Sequence, residues 1–347
     1  MPTDARRTTL ATIARAAGVS VATVSKVVND RSDVAPQTRA RVLELLHRHD
    51  YFAPVFRHTE GPRSPTIEVQ FAGGLRPYVA EAVEGIADAA AELGASVVIG
   101  TSSHAPHWAR DLVTAGRRAL IGVTSVYTEA HLKALARAGL PAVVLDPLHL
   151  PHNRVNSVGA TNFAGGLAAT QHLLSLGHRR VAHLGGPAMA ACNQARAHGY
   201  RAAMEAAGAP VPPAYVRPGE FTYRAGLAGA AALLDLDEQP TAIFAGNDEI
   251  ALGVIEAART RGLRVPEDLS VVGFDDTLLA RTASPPLTTV RQPLREMGGV
   301  ALRTALRLAN GEKVESHHIE LATELVTRAS TAPPVPRSAV GGGSGPA

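Results

Sequence analysis

Cysteine is almost missing from this chain: Cys192 is the single thiol in 347 residues. One thiol excludes an intrachain disulfide and a cysteine-based zinc site, and it fits a reducing compartment. Long apolar runs are missing too, since none approaches the roughly 18 residues that span a bilayer. The N-terminal stretch MPTDARRTTLATIARAAG has no apolar leader core and no A-x-A cleavage signal. Secretion is therefore not expected, and a cytoplasmic location is. The phosphate-binding G-x-x-x-x-G-K-[ST], a G-x-G-x-x-G after a strand, and the G-x-S-x-G nucleophile turn do not occur. Without them no enzyme activity and no cofactor are expected. The fourteen histidines are scattered, and the closest pairs are His104/His107, His149/His152 and His317/His318. None has carboxylates at ligand spacing, so they read as loop or surface residues and no metal is expected.

What is present is a long chain of mixed composition. At about 100–200 residues per domain, 347 residues make two or three domains with room for a core. Hydrophobic residues make up 46% and mean hydropathy is near zero, which excludes a disordered chain. The charge is unevenly placed. Residues 1–63 hold ten Lys/Arg against six Asp/Glu, and the remainder holds twenty-four against twenty-five. The formal +3 is thus a +4 head on a −1 body. A basic head suits phosphate, and a neutral body suits ligand binding or catalysis.

Within the head, Leu10, Ile13, Ala14 and Ala17 recur at helical spacing, and Gly18 stands where a C′ glycine ends a helix. Ser20 caps a second helix whose Val24, Val27 and Val28 point inward, while Val21, Ala22, Ser25 and Lys26 form its other face. A third helix begins at Pro36-Gln37-Thr38 and aligns Val42, Leu45, Leu46 and His49. Three short helices with a tight glycine turn spell a helix-turn-helix, although a plain small bundle shows the same spacing. The stretch from Thr9 to Tyr51 resembles the DNA-binding head of the lactose/galactose-repressor (LacI/GalR) family. That family's V-S-x-x-T-V-S-[RK]-V-x-N core stands here as Val19 to Asn29. The resemblance implies that Val21, Ala22 and Lys26 read base edges, Lys26 by reaching guanine O6/N7. It implies backbone contacts for Thr9, Ser20, Thr23, Ser25, Asn29 and Thr38.

The next stretch, YFAPVFRHTEGPRSP, departs from the family's hinge helix and its minor-groove leucine, because the wedge position falls on Glu60. An acid is repelled between base steps. Two readings stay open: Arg57 and Arg63 follow phosphates, or the segment is a passive linker.

From Thr66 onward, short β-rich runs alternate with amphipathic helices, which argues for parallel sheets covered by helices. An imperfect repeat appears, ALIGVTS–EAHLKALARAGLPA–VVLD against TAIFAGND–EIALGVIEAARTRGL–SVVGFDD. Two similar α/β lobes imply a cleft. Ligands of open parallel sheets sit beyond the strands' carboxyl ends, where Asp146, Asn247, Asp248 and Asp275 fall. For Asn247-Asp248, helix capping and ligand contact are both open readings. This body resembles the type I periplasmic-binding-protein-like effector core of the same family, from about Thr66 to Thr331. Its landmarks are SVGATNFAGGLAATQHLLSLGHRRVAHLGG, FAGNDEIALG, VPEDLSVVGFDD and PPLTTVRQPLREMG.

The resemblance implies a small ligand, most often a sugar. Arg196, Asn247 and Asp275 would take ring hydroxyls, Asp146 would join from the first lobe, and Phe221 would stack on the ring. Phe71, Trp108 and Cys192 would approach the cleft, with Trp108 reading more simply as packing.

The expected architecture is therefore a small all-α helix-turn-helix head at 1–51 and a linker at 52–65. A two-lobed parallel-sheet α/β core follows at 66–331, and a Pro/Gly-rich disordered tail at 332–347. The expected function is a sequence-specific transcriptional regulator: a homodimer on a pseudo-palindromic operator, switched by a neutral sugar. Release of DNA is the commoner family response, and ligand-enhanced binding also occurs. A periplasmic sugar-binding protein or a sugar-acting enzyme shares the body, but neither explains the head.

Overall fold

Apolar residues three and four apart build the head where their spacing predicts. Helix α1 (Leu10–Ala17), α2 (Val21–Val28) and α3 (Pro36–Arg48) bury Ile13, Ala14, Ala17, Val24, Val27, Val42 and Leu46 against one another. Gly18 takes φ +67°, and Val19 N–H reaches back to the Ala14 carbonyl while Gly18 N–H reaches Arg15. This is a Schellman end, which satisfies carbonyls that α1 otherwise leaves open. Ser20 Oγ accepts from Thr23 N at 3.1 Å and so caps α2.

The structure is a computed structural model. It describes residues 10–28, 33–48, 64–100, 107–148 and 155–335, and the chain divides into two compact units, 1–63 and 64–347. Thr9, Asn29, His49, Arg57, Glu60, Arg63, the Val28 side chain and the tail from 336 lie outside the described residues.

The larger unit opens with β1 (Thr66–Phe71), α4 (Pro77–Glu92), β2 (Ser96–Gly100), α5 (Trp108–Thr114), β3 (Arg117–Val123), α6 (Glu129–Ala138), β4 (Ala142–Leu145) and β5 (Asn156–Ala160). It continues with α7 (Asn162–Ser175), β6 (Val181–Leu184), α8 (Ala191–Ala206), β7 (Val216–Arg217), α9 (Tyr223–Leu234), β8 (Ala242–Ala245) and α10 (Asp248–Thr260). The last elements are β9 (Ser270–Asp275), α11 (Leu278–Thr282), β10 (Thr288–Arg291), α12 (Leu294–Ala309), β11 (His318–Leu321) and β12 (Glu324–Val326).

These strands make two six-stranded sheets with matching orders, β11-β5-β4-β3-β1-β2 in lobe 1 and β12-β10-β9-β8-β6-β7 in lobe 2. Every pairing is parallel except that β12 runs antiparallel to β10. The repeated segments occupy equivalent places, β3-α6-β4 in one sheet and β8-α10-β9 in the other. Central strands buried on both faces read as continuous apolar runs, and β8 and β9 are buried at every residue.

The chain crosses between lobes three times: after β5, after β10 and after β11. Thr161 and Thr323 join two of the crossings through their hydroxyls at 3.0 Å, and Thr161 N–H donates to the Leu321 carbonyl.

Three helix pairs meet at glycines. A Cβ on Gly166 would stand 2.3 Å from the Arg196 carbonyl, and one on Gly199 2.2 Å from the Phe163 carbonyl, locking α7 to α8. Gly226 and Gly253 do the same for α9 and α10, and Gly85 and Gly298 for α4 and α12. The fourth pair, α5 and α6, packs instead through Trp108, Tyr127 and Leu135.

Candidate DNA-reading face and interlobe pocket

On the head, Val21, Ala22 and Lys26 share the exposed side of α2, and Val21 is 47% exposed. Thr23, Ser25 and Thr38 are half-buried. Ser20 is tied up in capping, so a phosphate contact from it shares a hydroxyl that already serves the helix. Lys26 Nζ lies 2.7 Å from Asp33 Oδ2, with both side chains about half exposed (51% and 58%).

Between the lobes, at the carboxyl ends of both sheets, lies a pocket of about 220 Å³. Asp146, Arg196, Phe221, Asn247, Asp275 and Cys192 all line it, so most of the residues read from the sequence converge, while Phe71, Trp108 and Asp248 lie elsewhere. Phe71 does not line it. Strand β1 ends at Phe71, whose ring packs on the lobe 1 core, and the chain then turns at Gly73 with φ +77°. From this segment the pocket receives Ala72, Arg76 and Tyr78 instead. Trp108 is likewise a packing residue, stacked on Tyr127 with ring centroids 6.4 Å apart.

Arg196 is the centre of the site and is 3% exposed. Its Nε donates to Asn162 Oδ1 at 2.8 Å and its Nη1 to the Gly246 carbonyl at 2.6 Å. The guanidinium lies 3.8 Å above the centroid of the Phe274 ring, with Asp275 at 3.9 Å and the Phe221 ring at 5.7 Å. These contacts fix the plane of the fork before any ligand arrives. Phe221 rests on Gly186, where a Cβ would stand 2.3 Å from the ring.

Asn247 both caps and lines. Its Oδ1 accepts from Ile250 N at 2.9 Å, and the residue borders the pocket. Asp248 takes the structural part, accepting from Thr277 N, Thr277 Oγ1 and Thr289 Oγ1 at 2.6–3.0 Å. Asp146 and Asp275 stand at equivalent strand ends, both in left-handed backbone with φ +48° and +112°. Gln292 Nε2 donates to Asp275 Oδ1 at 2.7 Å.

Burial pushes both carboxyls above their usual range, and Arg196 opposes that shift. Burial also raises the Cys192 thiol to about 12, which keeps it protonated. The Tyr78 hydroxyl is raised by burial and by Asp146 and Asp275; it lies close enough to Asp146 to hold that carboxyl down, but no partner meets full hydrogen-bond geometry.

The mouth is bridged from lobe to lobe. Arg76 Nε donates to Glu249 Oε1 at 3.0 Å, its Nη2 meets the other carboxylate oxygen, and Nη2 also donates to the Phe221 carbonyl at 2.7 Å. Glu81 accepts from Leu278 N at 3.1 Å and faces Arg281 at 3.5 Å. Arg76, Tyr78 and Glu249 were not singled out from the sequence. The signal for Arg76 and Tyr78 was the Arg-Pro-Tyr at the start of α4 just past the end of β1, where Pro77 at the first helical turn marks a helix N-terminus facing the cleft. Among the described residues, no group of three or more His, Cys, Asp or Glu could hold a metal ion, and no single helix is long and apolar enough to cross a membrane.

Comparison with known proteins agrees with this architecture. Residues 9–53 match the family model described as bacterial regulatory proteins, lacI family, and residues 170–331 match a periplasmic binding protein-like domain. The chain is 35% identical to the HTH-type transcriptional regulator DegA of Bacillus subtilis (strain 168), over 94% of this chain and 99% of that one. Among solved structures it resembles the transcriptional regulator CelR–cellobiose complex, with TM-score 0.71, 33% identity, and 93% and 100% of the two chains covered. It also resembles the lac repressor dimer bound to operator and the anti-inducer ONPF, with TM-score 0.69, 29% identity, and 94% and 100% covered. These relatives are regulators, not enzymes. With a helix-turn-helix head, two matching lobes and relatives aligned over nearly its whole length, this chain belongs to the lacI family of bacterial regulatory proteins.

Proposed function

We propose that this regulator is a cytoplasmic homodimeric repressor, released from a pseudo-palindromic operator when a small neutral sugar fills the interlobe pocket. Residues 1–51 read DNA, 52–65 connect, and 66–331 bind ligand and dimerise. Val21, Ala22 and Lys26 meet base edges, while Thr9, Ser20, Thr23, Ser25, Asn29 and Thr38 steady the backbone. Lobe closure around the ligand changes the spacing of the two heads. That coupling requires the sugar to favour one lobe arrangement over the other.

The observation that carries this reading is the pre-bonded Arg196 fork beside Asp275, Asn247 and the Phe221 ring. A fork of donors beside acceptors suits vicinal hydroxyls, and a ring face suits the C–H side of a sugar. Carboxyls pushed up by burial favour an uncharged polyol over an anion. The volume of about 220 Å³ holds roughly seven waters, which suits a single sugar ring.

A thermal-shift screen of pentoses, hexoses and disaccharides identifies the ligand. In operator-binding assays with that ligand, Asp275→Ala retains DNA binding and loses release; release unchanged in this variant overturns the site. In a binding-site selection, Lys26→Ala relaxes preference at one operator position by about 1–3 kcal/mol. An unchanged profile removes Lys26 from base reading.

A further inference from the structure

A second pocket, of about 490 Å³, lies on the outer flank of lobe 2 between α8 and β7. Helix α8 separates it from the cleft. Cys192 and Arg196 look into the interlobe pocket, whereas Asn193, Ala197 and Arg201 line the flank. The lining is basic, with Arg201, Arg217 and His198, and no carboxylate belongs to it among the described residues.

At its base sits His183, 1% exposed and stacked between Tyr200 and Phe244 with ring centroids 5.5 and 4.7 Å away. His183 Nδ1 lies 3.0 Å from the Phe244 carbonyl. A carbonyl only accepts, so Nδ1 carries the proton and Nε2 presents a bare lone pair. That Nε2 is buried and has no partner. Burial holds the ring's pKa down to about 4, with Arg196 and Arg201 adding to the shift, so the imidazole stays neutral.

Gly185 lets the Asn193 amide and that nitrogen come close to the backbone: a Cβ on it would stand 2.3 Å from Asn193 Oδ1 and 3.2 Å from His183 Nε2. The nearby amides are partly committed. Asn193 Oδ1 accepts from Gly186 N at 2.7 Å, and Gln194 Nε2 donates to the Ala188 carbonyl at 3.0 Å. Arg217 commits its Nε to the Ala214 carbonyl at 3.3 Å among the described residues.

A buried acceptor without a donor, below a basic rim, asks for a ligand with complementary ends. We propose that this flank is a second ligand site, for a small hydroxylated anion such as a sugar phosphate or a sugar acid. Its oxyanion meets Arg201 and Arg217, and one hydroxyl donates to His183 Nε2. Recognition of both ends at once distinguishes it from a surface patch that merely collects anions.

Isothermal titration of the full chain tests this with ribose 5-phosphate and gluconate, against ribose and inorganic phosphate as matched controls. One or both hydroxylated anions bind at one site per chain, at least tenfold more tightly than either control. His183→Phe keeps the aromatic stack and removes the acceptor, and Arg201→Gln removes one charge at the rim. Each weakens binding at least tenfold.

The arm that binds, phosphate ester or carboxylate, names the ligand class. Failure of both anions to bind overturns the proposal. So does binding that survives His183→Phe, or inorganic phosphate binding as tightly as ribose 5-phosphate. If His183→Phe does not fold, the loss in Arg201→Gln and the preference for ribose 5-phosphate over phosphate decide it.

Discussion

In lobe 2 the helix pairs on both faces of the sheet meet at reciprocal glycines, α7 with α8 and α9 with α10, whereas lobe 1 has such a pair only in α4 and α12. The other face of lobe 1 is covered by the short α5 and by α6, packed through aromatic rings. The pocket follows the same division. Lobe 2 contributes Arg196, Asn247 and Asp275, each already bonded within lobe 2 or at its crossing strand. Lobe 1 contributes Tyr78, whose hydroxyl is buried and unbonded, and Asp146 in left-handed backbone. The contrast assigns different tasks to similar folds: lobe 2 is a fixed template, and lobe 1 brings Tyr78, whose buried hydroxyl gains a well-formed partner when a ligand supplies one. This is what differential binding to a closed state requires.

The sharpest way to break this contrast is to separate the template's helices. Gly199→Ala forces a Cβ to within 2.2 Å of the Phe163 carbonyl on α7, where backbone cannot yield cheaply. It is expected to cost about 3 kcal/mol, read as a lower melting temperature with loss of ligand response.

Acid titration probes the same lobe. The His183 imidazole has its pKa lowered from 6.5 to about 4 by burial, so its contribution to stability is complete above pH 6.5 and is lost as pH falls through 4. Asp248 works in the opposite sense. Burial raises it from 3.8 to about 7, and its contribution is complete below pH 3.8 and lost as pH rises through 7. His183→Phe therefore flattens the acid limb of the stability curve by about 3 kcal/mol and leaves the neutral limb to Asp248. Equal acid limbs in denaturant melts of the two proteins contradict this account.

A smaller effect sharpens the description of lobe 1. Tyr78→Phe removes a buried hydroxyl without a partner, so the ligand-free protein gains about 1 kcal/mol of stability while sugar affinity falls. Opposite signs in these two measurements identify a group held unsatisfied until ligand binds. A loss in both assigns Tyr78 to packing.

Much of this was legible in the sequence because it depends on local pattern. The head follows from helical spacing and one C′ glycine at position 18. The repeated strand-helix-strand-Asp layout placed Asp146 and Asp275 at equivalent strand ends. What escaped reading is non-local. Strands β10, β11 and β12 and helix α12 complete sheets whose other members lie far upstream, and no periodicity within those short segments tells which lobe receives them. The glycine pairs are similar: Gly85 becomes meaningful only beside Gly298. Phe71 was misplaced because one residue decides whether a strand's last side chain turns into the core or the cleft. Arg76 acquires a role only across the two lobes, from Glu249 and the Phe221 carbonyl.

The three crossings bear on how the protein comes off the ribosome. Strand β11 is the edge of the lobe 1 sheet and α12 covers one of its faces, yet both follow nearly all of lobe 2 in the chain. Lobe 1 therefore remains unfinished, with the β5 edge and the surface of α4 uncovered, until nearly all of lobe 2 has been synthesised. Lobe 1 is begun first yet is finished by β11 only just before β12 finishes lobe 2, and during that interval its open edge is the part of the nascent chain most in need of protection.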